Sequence, residues 1–407
     1  MSEPLDDAED WPVTRFLSLV TKEWVAYGSE GVSLRRSVQE IARQHDARAE
    51  VQMQPDSAVL SVFESGRVET ITVVSPQQIE RLDRLTAMRS VLERAEAATA
   101  DLGELTDELV ALTERPPPYP PWLSGLGIVL FALGFSVSVQ ATWQQLWVSA
   151  VTGVLVAAIA LIFGRSARVA PLAPFVSAVA VSVVVLVLYH QLDLEGGAIL
   201  LMVPALFFYI PGDVLSASMF DLSEGRITAG STQLVYSLFV ILILYLGVVF
   251  GAALTSTTGS ELFADAAPAE FPDFVLWVGW VVFTVGFSLA FSVERPHVPW
   301  VLLVTLITCG SQQAGTTVFG EVIGTYLAAV VMIVVAIWIS RDPTRPPCVV
   351  LALCGFFVLT VGALGLEGVT ALVSGDPVAG FTDLLKMLTI GAAISIGLLT
   401  GSVLTPR

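Results

Sequence analysis

The rhythm of apolar and polar positions changes twice along the chain. Residues 1–10 are acidic and poor in apolar side chains, the composition of a tail that stays disordered. Over 11–27, Phe16, Leu19, Val20 and Trp24 recur at helical spacing and Gly28 supplies a stop. A second helix is expected over 33–44, with Leu34, Val38 and Ile41 on one face. The period then falls to two. Val51 and Met53, then Val59, Ser61 and Phe63, then Val68, Ile71 and Val73 give three short strands, with Ser65-Gly66 turning between the last two. Two charged helices, over about 76–99 and 101–114, close this region, and their Arg/Glu patterning marks a solvated surface.

The second change is abrupt. Arg115-Pro116-Pro117-Pro118-Tyr119-Pro120-Pro121 is a stiff polyproline spacer ending at Trp122, a residue type that favours membrane interfaces. Beyond it come ten apolar runs of near-spanning length: 122–139, 146–163, 169–189, 196–212, 231–253, 274–293, 298–314, 318–340, 348–366 and 382–403.

These runs repeat. Gly212, Gly225, Gly230, Gly247 and Gly251 fall in step with Gly362, Gly375, Gly380, Gly397 and Gly401, about 150 residues later. Gly127, Phe131, Gly134, Phe135 and Ser136 return as Gly279, Phe283, Gly286, Phe287 and Ser288. Each half holds five spans, an odd number, so the copies enter the bilayer from opposite sides. The expected fold is a polytopic α-helical membrane protein of about ten transmembrane helices in a 5+5 inverted repeat, preceded by a small N-terminal cytoplasmic α+β domain. The boundaries are 1–115 for that domain, 116–121 for the linker and 122–407 for the membrane domain, with repeats at 122–253 and 272–404.

Composition agrees with a bilayer as solvent. The chain is 54% hydrophobic and 14% charged, with a mean hydropathy of +0.75. A net charge of −17 argues against a nucleic-acid partner. Cys309, Cys348 and Cys354 sit in apolar runs and His45, His190 and His297 are scattered, so neither a disulfide framework nor a metal or other cofactor site is expected. The acidic first ten residues and the interrupted apolar run after them give no expectation of a cleavable signal. With the N-terminus inside, the inner loops carry Arg165, Arg168, Arg226, Arg295, Arg341 and Arg345. The outer ones carry Asp193, Glu195, Glu261, Asp265, Glu270, Glu367 and Asp376, the bias of the positive-inside rule. Both termini are therefore expected in the cytoplasm. No nucleophile and base set or phosphate loop is present, so an enzyme is not expected.

The Tyr27-Gly28 turn, the proline-rich lead-in and the series Pro211-Gly212, Asp221, Gly225, Gly230 resemble the threonine/serine exporter family, over residues 16 to the end. The resemblance implies export of threonine and serine across the cell membrane, driven by the proton gradient. Related two-component members are implicated in dicarboxylate export. The chain departs from the family pattern at Ser37, Ala217, Phe220 and Val361. Partners implied are the small amino-acid substrate, protons and the lipid bilayer, and a homo-oligomer is compatible with the pattern.

An exported amino acid needs donors for its carboxylate, an acceptor for its ammonium and a partner for its hydroxyl. A helix broken at Pro211-Gly212, with Gly362 as its counterpart in the second half, offers free backbone N–H groups. Asp213 and Asp221 are candidate acceptors, and Ser216 and Ser218 candidate hydroxyl partners. Asp213, Asp221 and Glu321 are candidate proton carriers, since an intramembrane carboxylate is pushed towards neutrality. The polar stretch 309–317, with Ser311 and Gln312, is a candidate cavity lining if its glycines break the seventh span. Bland readings stand beside these. Asp213, Asp221 and Glu224 would cap helices in a wet loop, 309–317 would be an outer loop, and Asp383 with Lys386 a helix-surface pair. The alternative functions are dicarboxylate export, or an enzyme or receptor that uses the N-terminal domain.

Overall fold

Alternating burial builds a three-stranded antiparallel sheet near the start of the chain, in the order β1 (Arg48–Met53), β2 (Ser57–Glu64), β3 (Arg67–Val74). Leu60 on the central strand faces Val51 on one neighbour and Ile71 on the other. The buried face of β2 is Ala58, Leu60 and Val62. That is one residue out of step with the expected Val59, Ser61 and Phe63, and Phe63 is 42% exposed. Apolar residues occupy both faces of β2, so alternation alone does not select the inner one.

The computed structural model describes residues 12–27, 31–53, 57–64, 66–74, 81–140, 142–192, 194, 196–257, 270–272, 274–359 and 377–405. It divides between Pro118 and Tyr119 into two compact units. In the first, α1 (Pro12–Tyr27), α2 (Gly31–Gln44), α3 (Leu82–Glu96) and α4 (Leu102–Glu114) accompany the sheet. Phe16, Leu17, Leu34, Ile41, Leu60, Leu82 and Leu105 are its largest fully buried side chains. Asp101 caps α4 by accepting the Gly103 N–H at 2.9 Å. Arg81 forms a 2.5 Å ion pair with the buried Asp83 and donates to the Arg115 and Pro116 carbonyls, which fastens the end of α4.

Every regular element among the second unit's described residues is a helix. Its elements are α5 (Pro121–Val139), α6 (Trp143–Phe163), α7 (Ala173–Leu192), α8 (Ala198–Leu206), α9 (Gly212–Ser223), α10 (Ile227–Thr255), α11 (Phe274–Ala290), α12 (Val298–Phe319), α13 (Glu321–Ser340), α14 (Cys348–Val358) and α15 (Pro377–Leu404). Six of these, α5, α6, α7, α10, α13 and α15, are long and apolar enough to cross a membrane, and the bent pair α8 and α9 makes a seventh. The remaining expected spans fall on the shorter apolar helices α11 and α14 and on α12, whose last turns are polar. On α10, Val235, Phe239, Leu242, Leu246 and Phe250 form an exposed apolar stripe, which suits lipid and not water.

Small residues set the tightest crossings. A Cβ on Gly127 would lie 2.9 Å from the Gly286 carbonyl oxygen, and one on Gly286 2.8 Å from that of Gly127. Gly134 and Gly279 approach each other in the same way, at 2.6 and 3.0 Å. Thus α5 and α11 cross backbone to backbone, each glycine meeting the position matched to its neighbour. The pattern holds elsewhere too. Gly247 on α10 sits against the Phe175 carbonyl of α7 at 2.9 Å, and Gly397 on α15 against the Tyr326 carbonyl of α13 at 2.8 Å.

Phenylalanines fill the centre. Phe131 and Phe283 lie 4.5 Å apart between ring centroids, and Phe207 and Phe357 lie 5.6 Å apart. Phe131 touches both of the latter rings, at 5.7 and 5.3 Å. Tyr119 is buried and donates to the Val293 carbonyl at 2.8 Å, pinning the start of α5 to the turn before α12.

Candidate functional site

Three features of the sequence break the helix that begins at Ala198. Pro204 lies inside α8, the last turn tightens to a 3₁₀ turn at Phe207–Tyr209, and Ile210 is extended ahead of Pro211. Proline has no N–H to continue the ladder and biases its predecessor away from helix. The chain restarts as α9, bent by 69° from the first segment. Pro211 supplies no side-chain cap, and the Gly212 N–H folds back to the Ile210 carbonyl at 2.8 Å. The run expected to end at 212 is therefore followed by a further helix of its own.

On α9 the two candidate hydroxyls are buried and turned to their own helix. Ser216 donates to the Gly212 carbonyl at 2.8 Å and Ser218 to that of Leu215 at 2.6 Å. Each keeps its acceptor lone pairs. The side chain of Asp213 and all of Gly362 lie outside the described residues.

Asp221 lies in the last turn of α9, not at the cap of α10 expected from its residue type. Arg226 bridges it at 2.8 Å and Glu224 at 2.6 Å, while the Arg226 N–H returns to the Asp221 carbonyl at 2.8 Å. Gly225 turns the chain there with φ of +77°, a conformation glycine adopts without strain. The turn brings α10 back along α9, where a Cβ on Gly230 would lie 2.7 Å from the Ser218 carbonyl oxygen. The guanidinium thus already neutralises the carboxylate assigned to a substrate ammonium. Sequence reasoning placed Arg226 only as an inner-loop charge, although its spacing from Asp221 was in view.

The polar stretch of the seventh run is not a break. From Val298 to Phe319 α12 is continuous, and Gly315 serves a close approach to Gly324 on α13, 2.7 Å from where its Cβ would stand. Ser311 donates to the carbonyls of Ile307 and Thr308. Gln312 reaches the Thr325 hydroxyl at 3.4 Å. Glu321 opens α13 and pairs with Lys386 of α15 at 2.7 Å. Lys386 is thus taken by a residue 65 positions earlier, where helix spacing suggested Asp383. Both partners are over a third exposed.

The structure brings Pro211, Gly212 and Ser216 together at the start of α9, with Asp221 at its far end. Ser311, Gln312 and Glu321 instead serve α12 and its crossing with α13 and α15. Next to α9 run α10, α14 and α15, so the bent helix of the first half lies against helices of the second. No group of three or more His, Cys, Asp or Glu able to hold a metal occurs among the described residues.

A mostly helical chain with six or seven membrane-spanning helices, lipid-facing stripes and small-residue crossings is a multi-pass membrane protein. The family described as "Putative threonine/serine exporter" matches residues 15–255. The chain belongs to that threonine/serine exporter family, which is one of transporters. It is 22% identical over 416 aligned residues to a protein of Mycobacterium tuberculosis (strain ATCC 25618 / H37Rv) named "Probable threonine/serine exporter". That alignment covers 98% of this chain and 78% of the relative. No solved structure matches the chain.

Proposed function

We propose that this protein exports threonine and serine across the cell membrane by alternating access, driven by the proton gradient. Two five-span halves, 122–253 and 272–404, are inverted relative to each other and exchange conformations about a central axis. The observation that carries this reading is the exchange of partners between α5 and α11, where Gly127 meets Gly286 and Gly134 meets Gly279. A two-fold relation between matched segments produces that swap. The matched pairs Gly247 with Phe175 and Gly397 with Tyr326 support the same relation away from the axis.

In this reading the bend at Pro211-Gly212 presents the start of α9 to the substrate carboxylate, with Gly362 in the matching role. Ser216 stands one turn further on, and its lone pairs accept a donor from the substrate. Ser311 and Gln312 line the approach along α12. Protons move on Asp213, Asp221 or Glu321. Asp221 and Glu321 each hold a cation in the present arrangement, so protonation of Glu321 releases Lys386, and protonation of Asp221 leaves Arg226 on Glu224 alone. Residues 1–115 form a regulatory cytoplasmic α+β domain joined through the 116–121 spacer, and both termini lie in the cytoplasm.

Counterflow in reconstituted vesicles tests the substrate. Vesicles preloaded with unlabelled threonine are expected to accumulate labelled threonine and serine, and not a labelled dicarboxylate. Accumulation of the dicarboxylate alone would move the substrate to the second class, and no accumulation of any would remove the transport reading.

A further inference from the structure

The crossing of α5 and α11 is fastened at both of its ends as well as along its length. At one end Tyr119, just before α5, donates to the Val293 carbonyl at 2.8 Å, and the Arg295 guanidinium lies 6.0 Å from the centre of its ring. At the other end Phe271, just before α11, packs edge-on against Trp143 at 4.9 Å between centroids, and Glu270 accepts the Trp143 N–H at 3.3 Å. Tyr119 and Phe271 are 152 positions apart, and so are Trp143 and Arg295, the interval that also separates Gly127 from Gly279. Each tie thus joins the lead-in of one helix to the turn after the other, by one ring contact and one hydrogen bond. Between the ties the glycines bring backbone against backbone, which leaves the two helices no room to slide.

The bend between α8 and α9 meets the same pair differently. Gln140, at the end of α5, donates to the Leu200 carbonyl at 3.3 Å and so holds the start of α8. Beyond Pro204 the contacts are between rings. Phe207 stacks flat on Phe135 at 3.7 Å, and Phe208 lies 5.9 Å from Phe291. Stacked rings hold largely by dispersion, so they can shift over one another without breaking a hydrogen bond.

We propose that α5 and α11, fastened by the Tyr119 and Trp143 ties, stay fixed to each other through the transport cycle, and that the bend at 207–212 moves across them. The inference rests on the alternating-access reading and adds to it which parts are still. It makes Tyr119, Trp143, Phe271 and Arg295 positioning residues.

Reversible tethers test it in the full-length protein reconstituted into vesicles. Three double variants are treated with a bis-methanethiosulfonate reagent, which a reductant removes: Tyr119→Cys with Arg295→Cys, Trp143→Cys with Phe271→Cys, and Phe208→Cys with Phe291→Cys. Threonine counterflow is compared with that of the wild-type chain given the same reagent, which accounts for the native cysteines, and mass confirms each tether. The first two tethers should leave the rate at the wild-type value. The third should abolish counterflow, and reduction should restore it. Trp143 is 57% exposed, so its pair carries the test of the fixed ends even where the Tyr119 variant does not fold. Counterflow lost on tethering either end and recovered on reduction would overturn the fixed pair, and counterflow that survives the third tether would overturn the moving bend, both leaving the exporter reading intact. Wild-type protein without counterflow would overturn that reading and this inference with it.

Discussion

The rings of Phe207 and Phe357 lie 5.6 Å apart at 72°, joining the end of α8 to the end of α14. The two residues are 150 positions apart, the same interval that separates Gly212 from Gly362. The segment leading into the Pro211 bend therefore meets the end of α14 beside Phe131, which contacts both rings. On the proposed repeat the two rings are counterparts, so their removal should have equivalent effects. Phe207→Ala and Phe357→Ala are each expected to destabilise the protein by about 3–5 kcal/mol, measured by equilibrium unfolding in detergent. A neutral result for one of them would break the equivalence.

Gly134 and Gly286 give a sharper comparison. A methyl group at either overlaps the opposing backbone, at Phe283 and Phe131 respectively. Gly134→Ala and Gly286→Ala should both lower the yield of monodisperse protein. Gly66→Ala, in an open turn with nothing near its Cβ position, should leave the helical unit unaffected, with its cost limited to the strained turn. Full yield from the two helix variants would mean that α5 and α11 are not held this closely.

The three candidate proton carriers are separable by their amides. Asp213→Asn, Asp221→Asn and Glu321→Gln each keep size and remove the titrating group. Threonine efflux through the variant of the true carrier should lose its dependence on a pH gradient while exchange without a gradient persists. Because the Glu321 and Lys386 pair is well exposed, Glu321→Gln should cost at most about 1 kcal/mol of stability. Gradient dependence retained in all three variants would remove this set.

Glu23 supplies a pH test in the first unit. Burial lifts its carboxyl above the ordinary range, opposed by Arg84 and then Lys22. A raised folded value means that the contribution from protonation is fully present below the unfolded value and is lost as pH rises through the folded one. At neutral pH the buried charge therefore works against α1. Glu23→Gln should slow amide exchange in α1 at pH 7, with the difference vanishing below about pH 4. Faster exchange in the variant would show that the Arg84 attraction outweighs burial.

Gly127, Gly134, Gly279 and Gly286, which meet where α5 crosses α11, stood out in the sequence by their matched spacing. The bend at Pro211 was legible for a local reason. The inner face of β2 was not, since its residues are apolar on both sides. The continuity of α12 was hidden because glycine reads as a break as readily as a close contact, and only the facing Gly324 decides between them. The partners of Lys386 and Asp221 depended on which helix ends meet.

The most direct measurement is net efflux of labelled threonine from vesicles holding the purified protein. Imposing an inward proton gradient is predicted to accelerate efflux above that of protein-free vesicles, and a protonophore to abolish the acceleration. Efflux equal to that of protein-free vesicles under the gradient would contradict the account.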